Sequence, residues 1–344
     1  MTKPLPRKIA VMGAGSWGTT FAKVLADSVA DKGIAVQIWA RREDAANEIN
    51  ERHTNSRYLR ETKLPANVAA SSDPQTVLTG ADLVVLAIPS QSLRQELAKF
   101  KEFFEPGAVL LSLMKGLERG TDLRMSQVIA EVTGLPAKQI AVLSGPNLAM
   151  EIAREQPTAS VVACTDSDIA QWIAELCSAP YFRPYTNDDV LGVELGGIVK
   201  NIIALAVGMC DGMGMGDNTK STVITRGLAE TTRLVLALGG RLDTLAGLSG
   251  LGDLVATCSS SLSRNNTAGR LLGQGLFLEE VNDRMSQTAE GIKSARAVFD
   301  LSRAHKVEMP ITEAVVMVLE GTLSVENMAA RLLSRELKSE GERH

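Results

Sequence analysis

The stretch KIAVMGAGSWGTT, residues 8–20, decides the fold of this 344-residue chain. It joins an apolar run, residues 8–12, to the hexapeptide GAGSWG, residues 13–18, and then to a segment of helical character. A GxGxxG pattern between a strand and a helix is typical of a turn that binds a dinucleotide. We predict that Gly13 permits the tight turn, Gly15 lets the backbone approach a pyrophosphate, and Gly18 allows close packing of helix on strand. The alternative is a tight turn without a ligand.

Short apolar runs continue along the first half of the chain. Each is unbroken and rich in Val, Ile and Leu, and they cover residues 35–40, 83–88, 108–113, 140–144 and 160–164. Runs of this kind are typical of strands buried on both faces of a parallel sheet. Segments long enough for crossover helices separate them, so we predict an α/β fold with a Rossmann-like, doubly wound sheet over residues 1–187.

The second half has a different pattern. After about residue 190 the strand-like runs end, and glycine-rich joints separate helical segments at residues 195–209, 222–237, 294–304 and 312–320. We therefore predict an all-helical C-terminal domain over residues 188–344. The boundary is placed at the turn-forming residues of YFRPYTNDD, 181–189. Residues 212–218 are interpreted as a flexible joint in which Asn218 caps the next helix.

Composition excludes several classes of protein. Lys and Arg number 36 against 40 for Asp and Glu, a net charge of −4 that gives no general attraction to nucleic acid or to an anionic membrane. The longest unbroken apolar stretch, residues 202–210, is far shorter than the ~20 residues of a membrane span. We expect no integral membrane segment, no signal peptide and a cytoplasmic enzyme. Three histidines and widely spaced cysteines predict neither a metal site nor a disulfide framework: Cys164, Cys177, Cys210 and Cys258.

The residues after the second strand bear on the choice of cofactor. An acidic residue there would bond the ribose 2′-hydroxyl of NAD, whereas arginine suits the 2′-phosphate of NADP. This chain has Arg41 and Arg42, whose guanidinium groups can donate two hydrogen bonds to a phosphate. We therefore favour NADP(H) and keep NAD(H) as the alternative. A further alternative is that both arginines are solvated surface residues.

Two lysines are candidates for chemistry. Lys115 follows the apolar run 108–113, at the end of the sheet where ligands gather, although a surface lysine is an equal alternative. Lys200 lies within GGIVKNIIALA, residues 196–206, a helix of apolar and small residues. Burial normally lowers the pKa of a lysine and makes it a proton-transfer group near neutral pH. A lysine that extends from the helix surface to solvent is the alternative.

Two further segments have the residue types of a ligand site. GLSGLGDL, residues 247–254, places Asp253 behind a glycine-rich loop. Ser263, Arg264 and Asn265 open a predicted helix, where an arginine beside free N–H groups makes a strong phosphate site. Ordinary helix capping is the alternative for this second group.

Several segments together resemble one family, the bacterial type of NAD(P)-dependent glycerol-3-phosphate dehydrogenase. They span both predicted domains: GAGSWGT (13–19), SGPNLAMEIA (144–153), YTNDDVLGVELGGIVKNIIALAVG (185–208), GLSGLGDLVATCSSSLSRNNTAG (247–269) and AEGIKSA (289–295). The resemblance implies reversible hydride transfer between sn-glycerol 3-phosphate and dihydroxyacetone phosphate, which supplies phospholipid synthesis. It also implies a homodimer.

The resemblance also assigns roles to residues. Lys200 is implied as general acid/base, with Lys115 and Asp253 beside it in the catalytic set. The implied substrate contacts are these residues together with Gly145, Asn147, Ser263, Arg264 and Asn265; many relatives have threonine or serine where this chain has Asn147. The implied cofactor contacts are Gly13, Gly15, Ser16, Trp17, Gly18, Arg41, Arg42, Lys115, Ala149, Arg264, Thr288 and Glu290.

Two other functions compete with this one. Another two-domain dehydrogenase, such as a 6-phosphogluconate or β-hydroxyacid dehydrogenase, would share GxGxxG and a helical lysine. It would lack the combination of GLGDL with SRN found at 250–254 and 263–265. A non-catalytic NADP(H) sensor would bind cofactor without turnover, and the retention of both lysines, Asp253 and the Arg-Asn pair argues against it.

Overall fold

The computed structural model describes residues 3–60, 62–285 and 289–333. The chain divides into two compact units, described separately below. The first unit comprises Met1–Lys115 and Leu123–Val193, and the second comprises Gly116–Asp122 and Glu194–His344. The predicted domain boundary after residue 187 stays a prediction.

The first unit contains one eight-stranded sheet. Its strands are β1 (Lys8–Met12), β2 (Ala35–Trp39), β3 (Val68–Ser71), β4 (Leu83–Leu86), β5 (Val109–Ser112), β6 (Ile140–Ser144), β7 (Thr158–Ala163) and β8 (Phe182–Asn187). They lie in the order β3-β2-β1-β4-β5-β6-β7-β8. The order reverses at β1, as in doubly wound folds, so the predicted fold class is confirmed.

Among the described residues of the first unit, seven helices connect the strands. They are α1 (Ser16–Ser28), α2 (Glu43–Arg52), α3 (Pro74–Leu78), α4 (Leu93–Phe100), α5 (Met125–Thr133), α6 (Ala149–Ala153) and α7 (Ser167–Leu176). Short 3-10 turns cover Ser90–Ser92, Lys101–Phe103 and Ala137–Gln139.

The core of the first unit lies on both faces of the sheet. Alternate residues of β1 enter different apolar clusters: Ile9 and Val11 pack on one face, and Ala10 and Met12 on the other. The unbroken apolar runs in the sequence reflect this burial on both faces.

The sheet departs from the prediction at its ends. It is mixed rather than wholly parallel, because β6 pairs antiparallel with β7. Strands β3 and β8 were not predicted from the sequence, and the residues of β8 were predicted to form a turn. These are the two edge strands, so each has exposed positions and neither forms a continuous apolar run. An edge strand also tolerates Pro184, which lacks a backbone N–H.

Among its described residues, the second unit is helical, as predicted. Its elements are α8 (Val190–Gly212, which begins in the first unit), α9 (Asp217–Ala237), α10 (Leu242–Ala246), α11 (Asp253–Ser259), α12 (Arg264–Gly273), α13 (Leu278–Arg284), α14 (Glu290–Ala304), α15 (Pro310–Leu319) and α16 (Val325–Leu333). The predicted cap at Asn218 is wrong, because α9 begins at Asp217 with Gly216 as its N-cap. Glycine is acceptable there because it leaves the first N–H groups open to water.

Helices α8 and α12 touch each other through their backbones. Four glycines, spaced by four on each helix, form the contact and are here called the glycine seam: Gly208, Gly212, Gly269 and Gly273. A Cβ at any of them would lie 2.1–2.3 Å from a carbonyl oxygen of the other helix. No other residue therefore fits at these four positions without a shift of the backbone.

Helix α8 is long and apolar enough to cross a membrane by length and composition alone. The longest unbroken apolar run in the sequence is much shorter than this helix, because the helix extends for 23 residues across several glycines. In the structure, 89% of its most apolar window is buried within the protein. Its apolar character therefore has an explanation as core packing.

Candidate active site

The glycine-rich turn of the first unit has the geometry predicted for it. Gly13 has a φ of +129°, and a Cβ there would lie 2.4 Å from the Ala87 carbonyl oxygen. A Cβ at Gly18 would lie 2.1 Å from the Gly13 oxygen, so this glycine permits α1 to pack on the turn. At Gly15, a Cβ would meet no heavy atom within 4 Å. The turn thus has open space where a pyrophosphate could approach the backbone, and its residues fit a dinucleotide.

The N-terminus of α1 faces this turn. Gly15 is the N-cap and no side chain caps the helix, so the first N–H groups, at Ser16 and Trp17, are offered to an anion. The Trp17 ring packs against Phe21 with centroids 5.5 Å apart. Within the described part of the chain, the buried Trp17 Nε1 has no hydrogen-bond acceptor.

Arg41 and Arg42 follow β2, as predicted, and both are exposed. The Arg42 guanidinium forms an ion pair with Asp44 at 3.1 Å. Glu43 and Asp44 lie in the first turn of α2, where their charge suits the helix dipole.

The structure brings Lys115 and Gly145 together. The Lys115 Nζ donates to the Gly145 carbonyl oxygen at 3.0 Å, so this half-buried lysine is more constrained than a free surface lysine. Nearby in sequence, Asn147 buries both polar atoms of its side-chain amide, and neither has a partner among the described residues. Buried amides are normally hydrogen-bonded, so Asn147 is suited to a ligand that supplies both a donor and an acceptor.

Ala149, at the start of α6, lies against α1. Its carbonyl oxygen accepts a hydrogen bond of 3.3 Å from the Thr20 hydroxyl. This contact places one predicted cofactor residue beside the helix that opens at Gly15.

In the second unit, Lys200 is buried in an ion pair with Asp253. The residues are 8% and 1% exposed, and the Lys200 Nζ lies 2.5 Å from the Asp253 Oδ1. The same Nζ donates to the Thr257 hydroxyl oxygen at 2.7 Å. Lys200 is therefore not a lysine that extends to solvent, and its charge is balanced in the interior. An ammonium has three N–H donors, so one is left for a ligand after these two bonds.

Thr257 was not among the residues predicted from the sequence. Asp253 opens α11, and Thr257 lies one turn later on the same helix, so both side chains reach the same ammonium. The (i, i+4) spacing of an acid and a hydroxyl on a predicted helix was the available signal.

Glycines allow α8, the helix that carries Lys200, to lie close to the segment before Asp253. Leu248–Gly252 forms a π-helical turn, a rare conformation that is frequent at functional sites. A Cβ at Gly250 would lie 2.1 Å from the Leu245 oxygen, and one at Gly196 would lie 2.6 Å from the Ser249 oxygen. The space beside Gly196 is therefore filled by the backbone of this segment.

Asn265 links three helices by its side-chain amide. Its Nδ2 donates to the Asn201 Oδ1 on α8 at 2.9 Å, and its Oδ1 accepts from the Gly291 N–H on α14 at 2.8 Å. These bonds use the oxygen and one N–H of the amide, which leaves its second N–H for a ligand. The role of Asn201 was not predicted, since nothing local in the sequence indicates a partner 64 residues away.

The other predicted site residues of this unit lie at helix starts. Ser263 caps α12 by accepting from the Asn266 N–H at 3.2 Å, as the capping alternative expected. Arg264 is the first residue of α12 and is exposed. Glu290 opens α14 and lies 3.7 Å from the Lys293 ammonium. Thr288 lies outside the described residues.

The cysteines are unsuited to nucleophilic chemistry. All four are buried and unpaired. Burial raises the pKa of the Cys258 thiol to about 12 despite the nearby Lys200 ammonium, so this thiol stays protonated at neutral pH. Over the described ranges, His, Cys, Asp and Glu form no group of three or more that could hold a metal ion.

A second buried acid, Glu230 on α9, lies apart from the ion pair. Its carboxylate accepts from the N–H groups of Ile311 and Thr312 at 2.9 and 3.0 Å, and from the Thr312 hydroxyl. It thus caps the first turn of α15 from outside that helix. Burial raises the pKa of Glu230 to about 7.

Comparison with known proteins gives the same family for both parts of the chain. Residues 8–170 match the NAD-dependent glycerol-3-phosphate dehydrogenase N-terminus, and residues 189–330 match its C-terminus. A glycerol-3-phosphate dehydrogenase, NAD(P)+, from Thermobifida fusca is 56% identical over 334 residues, covering 97% of this chain and 98% of that protein. One from Streptomyces griseus is 54% identical over 340 residues, covering 99% of each.

A solved structure agrees with these matches. The crystal structure of glycerol-3-phosphate dehydrogenase from Coxiella burnetii is similar to this chain with a TM-score of 0.90 and 37% identity, covering 96% of this chain and 100% of that one. The dinucleotide turn and the buried Lys200–Asp253 pair thus occur in a chain whose two parts match one oxidoreductase family along nearly their whole length. This protein belongs to the NAD-dependent glycerol-3-phosphate dehydrogenase family.

Proposed function

We propose that this enzyme transfers a hydride reversibly between NAD(P)H and dihydroxyacetone phosphate, giving sn-glycerol 3-phosphate. The observation that carries the proposal is the buried ammonium of Lys200, held by Asp253 and Thr257. Reduction of a ketone requires a proton for the oxygen as the carbon is reduced, and a positioned acid supplies it.

Lys200 is the proposed general acid/base. Its third N–H donates to the carbonyl oxygen of the substrate, and the proton passes to that oxygen as negative charge develops there. The neutral amine that results stays hydrogen-bonded to Asp253 and Thr257, which keep its nitrogen in place. In the reverse direction the same amine accepts the proton of the alcohol.

The substrate phosphate is assigned to the start of α12. Arg264 is the first residue of this ten-residue helix, where the positive end of the helix dipole favours an anion. Its exposed guanidinium can bind a phosphate through two parallel hydrogen bonds. The remaining N–H of Asn265, fixed by Asn201 and Gly291, lies on the following residue and supports the same assignment.

Residues of the first unit are proposed to hold the polar groups of the substrate. Lys115 adds a positive charge, and its contact with the Gly145 oxygen fixes its position. The buried amide of Asn147 offers both a donor and an acceptor to a hydroxyl group.

The glycine-rich turn and the N-terminus of α1 are proposed to hold the pyrophosphate of the cofactor. NAD(P)H supplies the hydride when it is bound. Arg41 and Arg42 support a preference for NADP(H), and Arg41 carries more of it because Arg42 is paired with Asp44. Arg41→Ala should raise the KM for NADPH about tenfold and leave the KM for NADH within about twofold. Equal changes in the two KM values would contradict this assignment.

The proposal includes two features implied by the family resemblance. The enzyme is a homodimer, which light scattering of the purified protein tests directly. Its product supplies phospholipid synthesis, so cells depleted of the enzyme should need external glycerol 3-phosphate for growth.

The deciding experiment follows the loss of absorbance of NADPH and NADH on addition of dihydroxyacetone phosphate. Rapid loss with the phosphate ester, and little with free dihydroxyacetone, is expected, because only the ester can use the site at Arg264. Binding of NADPH without oxidation under these conditions would overturn the proposed substrate.

A further inference from the structure

A short segment after α2 lies against the dinucleotide turn. The side chain of Asn55 is 2% exposed, and its Nδ2 donates both of its N–H groups. One goes to the Ala14 carbonyl oxygen and the other to the Thr19 hydroxyl oxygen, each at 2.9 Å. Ala14 is the middle residue of the Gly13–Gly15 turn, and Thr19 lies in the first turn of α1. A single amide thus connects the turn to the helix that follows it.

The segment that carries Asn55 is itself fixed to α2. One carboxylate oxygen of Glu48 accepts from the Thr54 hydroxyl at 2.9 Å and from the Ser56 N–H at 2.8 Å. The Asn55 carbonyl oxygen accepts from the N–H groups of Tyr58 and Leu59, which closes a turn. Asn55 is therefore presented to the dinucleotide turn from a rigid support.

The dinucleotide turn needs such a support. Gly13 and Gly15 have no side chains to anchor them, and Gly13 is held at a φ of +129°. Glycine has more backbone freedom to lose than any other residue, so a glycine-rich turn holds one conformation only when other groups fix it. The Asn55 amide fixes the carbonyl between the two glycines, which helps to set the direction of the N–H groups offered to an anion.

We propose that Asn55 is a positioning residue for cofactor binding, and this rests on the proposed binding of NAD(P)H at the glycine-rich turn. Asn55 holds the turn in its binding conformation before the cofactor arrives. The apparent affinity of the turn for the cofactor is proportional to the fraction of time that the turn spends in that conformation. The reduction of bound substrate does not depend on Asn55, so the maximal rate should be retained once the cofactor is saturating.

The test compares Asn55→Ala with a matched control, Asn67→Ala. The Asn67 Nδ2 also donates to a carbonyl oxygen of α1, that of Ala26, at 3.0 Å. Both variants lose an asparagine bond to α1, but Asn67 bonds near its C-terminal end, away from the turn. We expect both to unfold at a lower temperature than the parent. Titration calorimetry with NADPH should show affinity lowered about tenfold in Asn55→Ala and within about twofold of the parent in Asn67→Ala.

Steady-state kinetics and a milder variant complete the test. Asn55→Ala should raise the KM for NADPH by the same factor and leave kcat within about twofold of the parent. Thr19→Val keeps the shape of Thr19 and removes one acceptor of Asn55, so it should weaken NADPH binding by about threefold. The inference is overturned if Asn55→Ala, or Thr19→Val should the first variant not fold, binds NADPH as tightly as Asn67→Ala. Failure of the parent to bind NADPH would instead overturn the proposed function.

Discussion

Replacing Lys200 by methionine separates the two roles of its ammonium, in chemistry and in folding. Methionine has a similar length and no charge, so the change removes the ammonium and leaves the Asp253 carboxylate, which is 1% exposed, without the positive charge of Lys200 beside it. Loss of one partner from a buried ion pair costs about 3–5 kcal/mol of folding free energy. A protein of ordinary stability, about 5–15 kcal/mol, should survive this change in weakened form.

The loss of activity in Lys200→Met should be larger than its loss of stability can explain. A positioned general acid contributes about 10²- to 10⁴-fold to the rate, and Lys200→Met should lower kcat by a factor in that range. The assay is oxidation of NADPH by dihydroxyacetone phosphate, measured at a temperature where urea unfolding shows the variant to be folded. A kcat within tenfold of the parent would refute Lys200 as the acid/base.

A double variant distinguishes stability from chemistry. In Lys200→Met with Asp253→Asn, the buried negative charge is gone as well, so the free energy of unfolding should return to within about 2 kcal/mol of the parent. The activity should stay as low as in the single variant, because no proton donor has been restored. A double variant no more stable than Lys200→Met would show that the pair is not coupled as the 2.5 Å contact implies.

Three further outcomes are expected. Thr257→Val should lower kcat about tenfold by freeing one side of the Lys200 ammonium. Its control, Thr231→Val, should stay within about twofold, because Thr231 lines a crevice with Lys200 but its hydroxyl donates to the Gly227 carbonyl oxygen of its own helix. Gly15→Ala should leave the unfolding temperature unchanged and weaken NADPH binding at least about tenfold, whereas Gly18→Ala should cost about 3 kcal/mol of stability, since its Cβ would lie 2.1 Å from a carbonyl oxygen. Because Glu230 has a pKa of about 7 when folded, above its unfolded value, stability should fall by about 3 kcal/mol as pH rises from 4.5 to 7. Glu230→Gln should remove that component, and equal pH dependence of parent and variant in urea unfolding would contradict it.

The strands buried on both faces were predictable to the residue in two cases. The runs 8–12 and 140–144 coincide with β1 and β6, because continuous apolar sequence has few alternatives inside a covered sheet. The edge strands were not predictable in the same way. One of the four positions of β3 and three of the six positions of β8 are exposed, and the sequence of β8, FRPYTN, has the residue types of a turn. The antiparallel direction of β7 was also not predictable, since an apolar run does not show whether its strand lies parallel or antiparallel to its neighbours.

Individual candidate residues could be found from the sequence, but their partners could not. Lys200 was recognisable because a charged residue in an apolar helix is unusual. Its contact with Asp253 spans 53 residues and depends on how two helices pack. Asn55 and Asn201 have no local signal of this kind, because asparagine is as common in loops and helix surfaces as in sites.

The glycine seam has a consequence for how this protein can change over generations. Helices kept apart by side chains alter their separation whenever those side chains are replaced, but α8 and α12 are separated by nothing except their own backbones. Neutral drift on their outward faces should therefore leave the spacing of Asn201 and Asn265 intact. A replacement within the glycine seam would displace both asparagines together, so we expect the spacing of the two helices to be retained or lost as a whole.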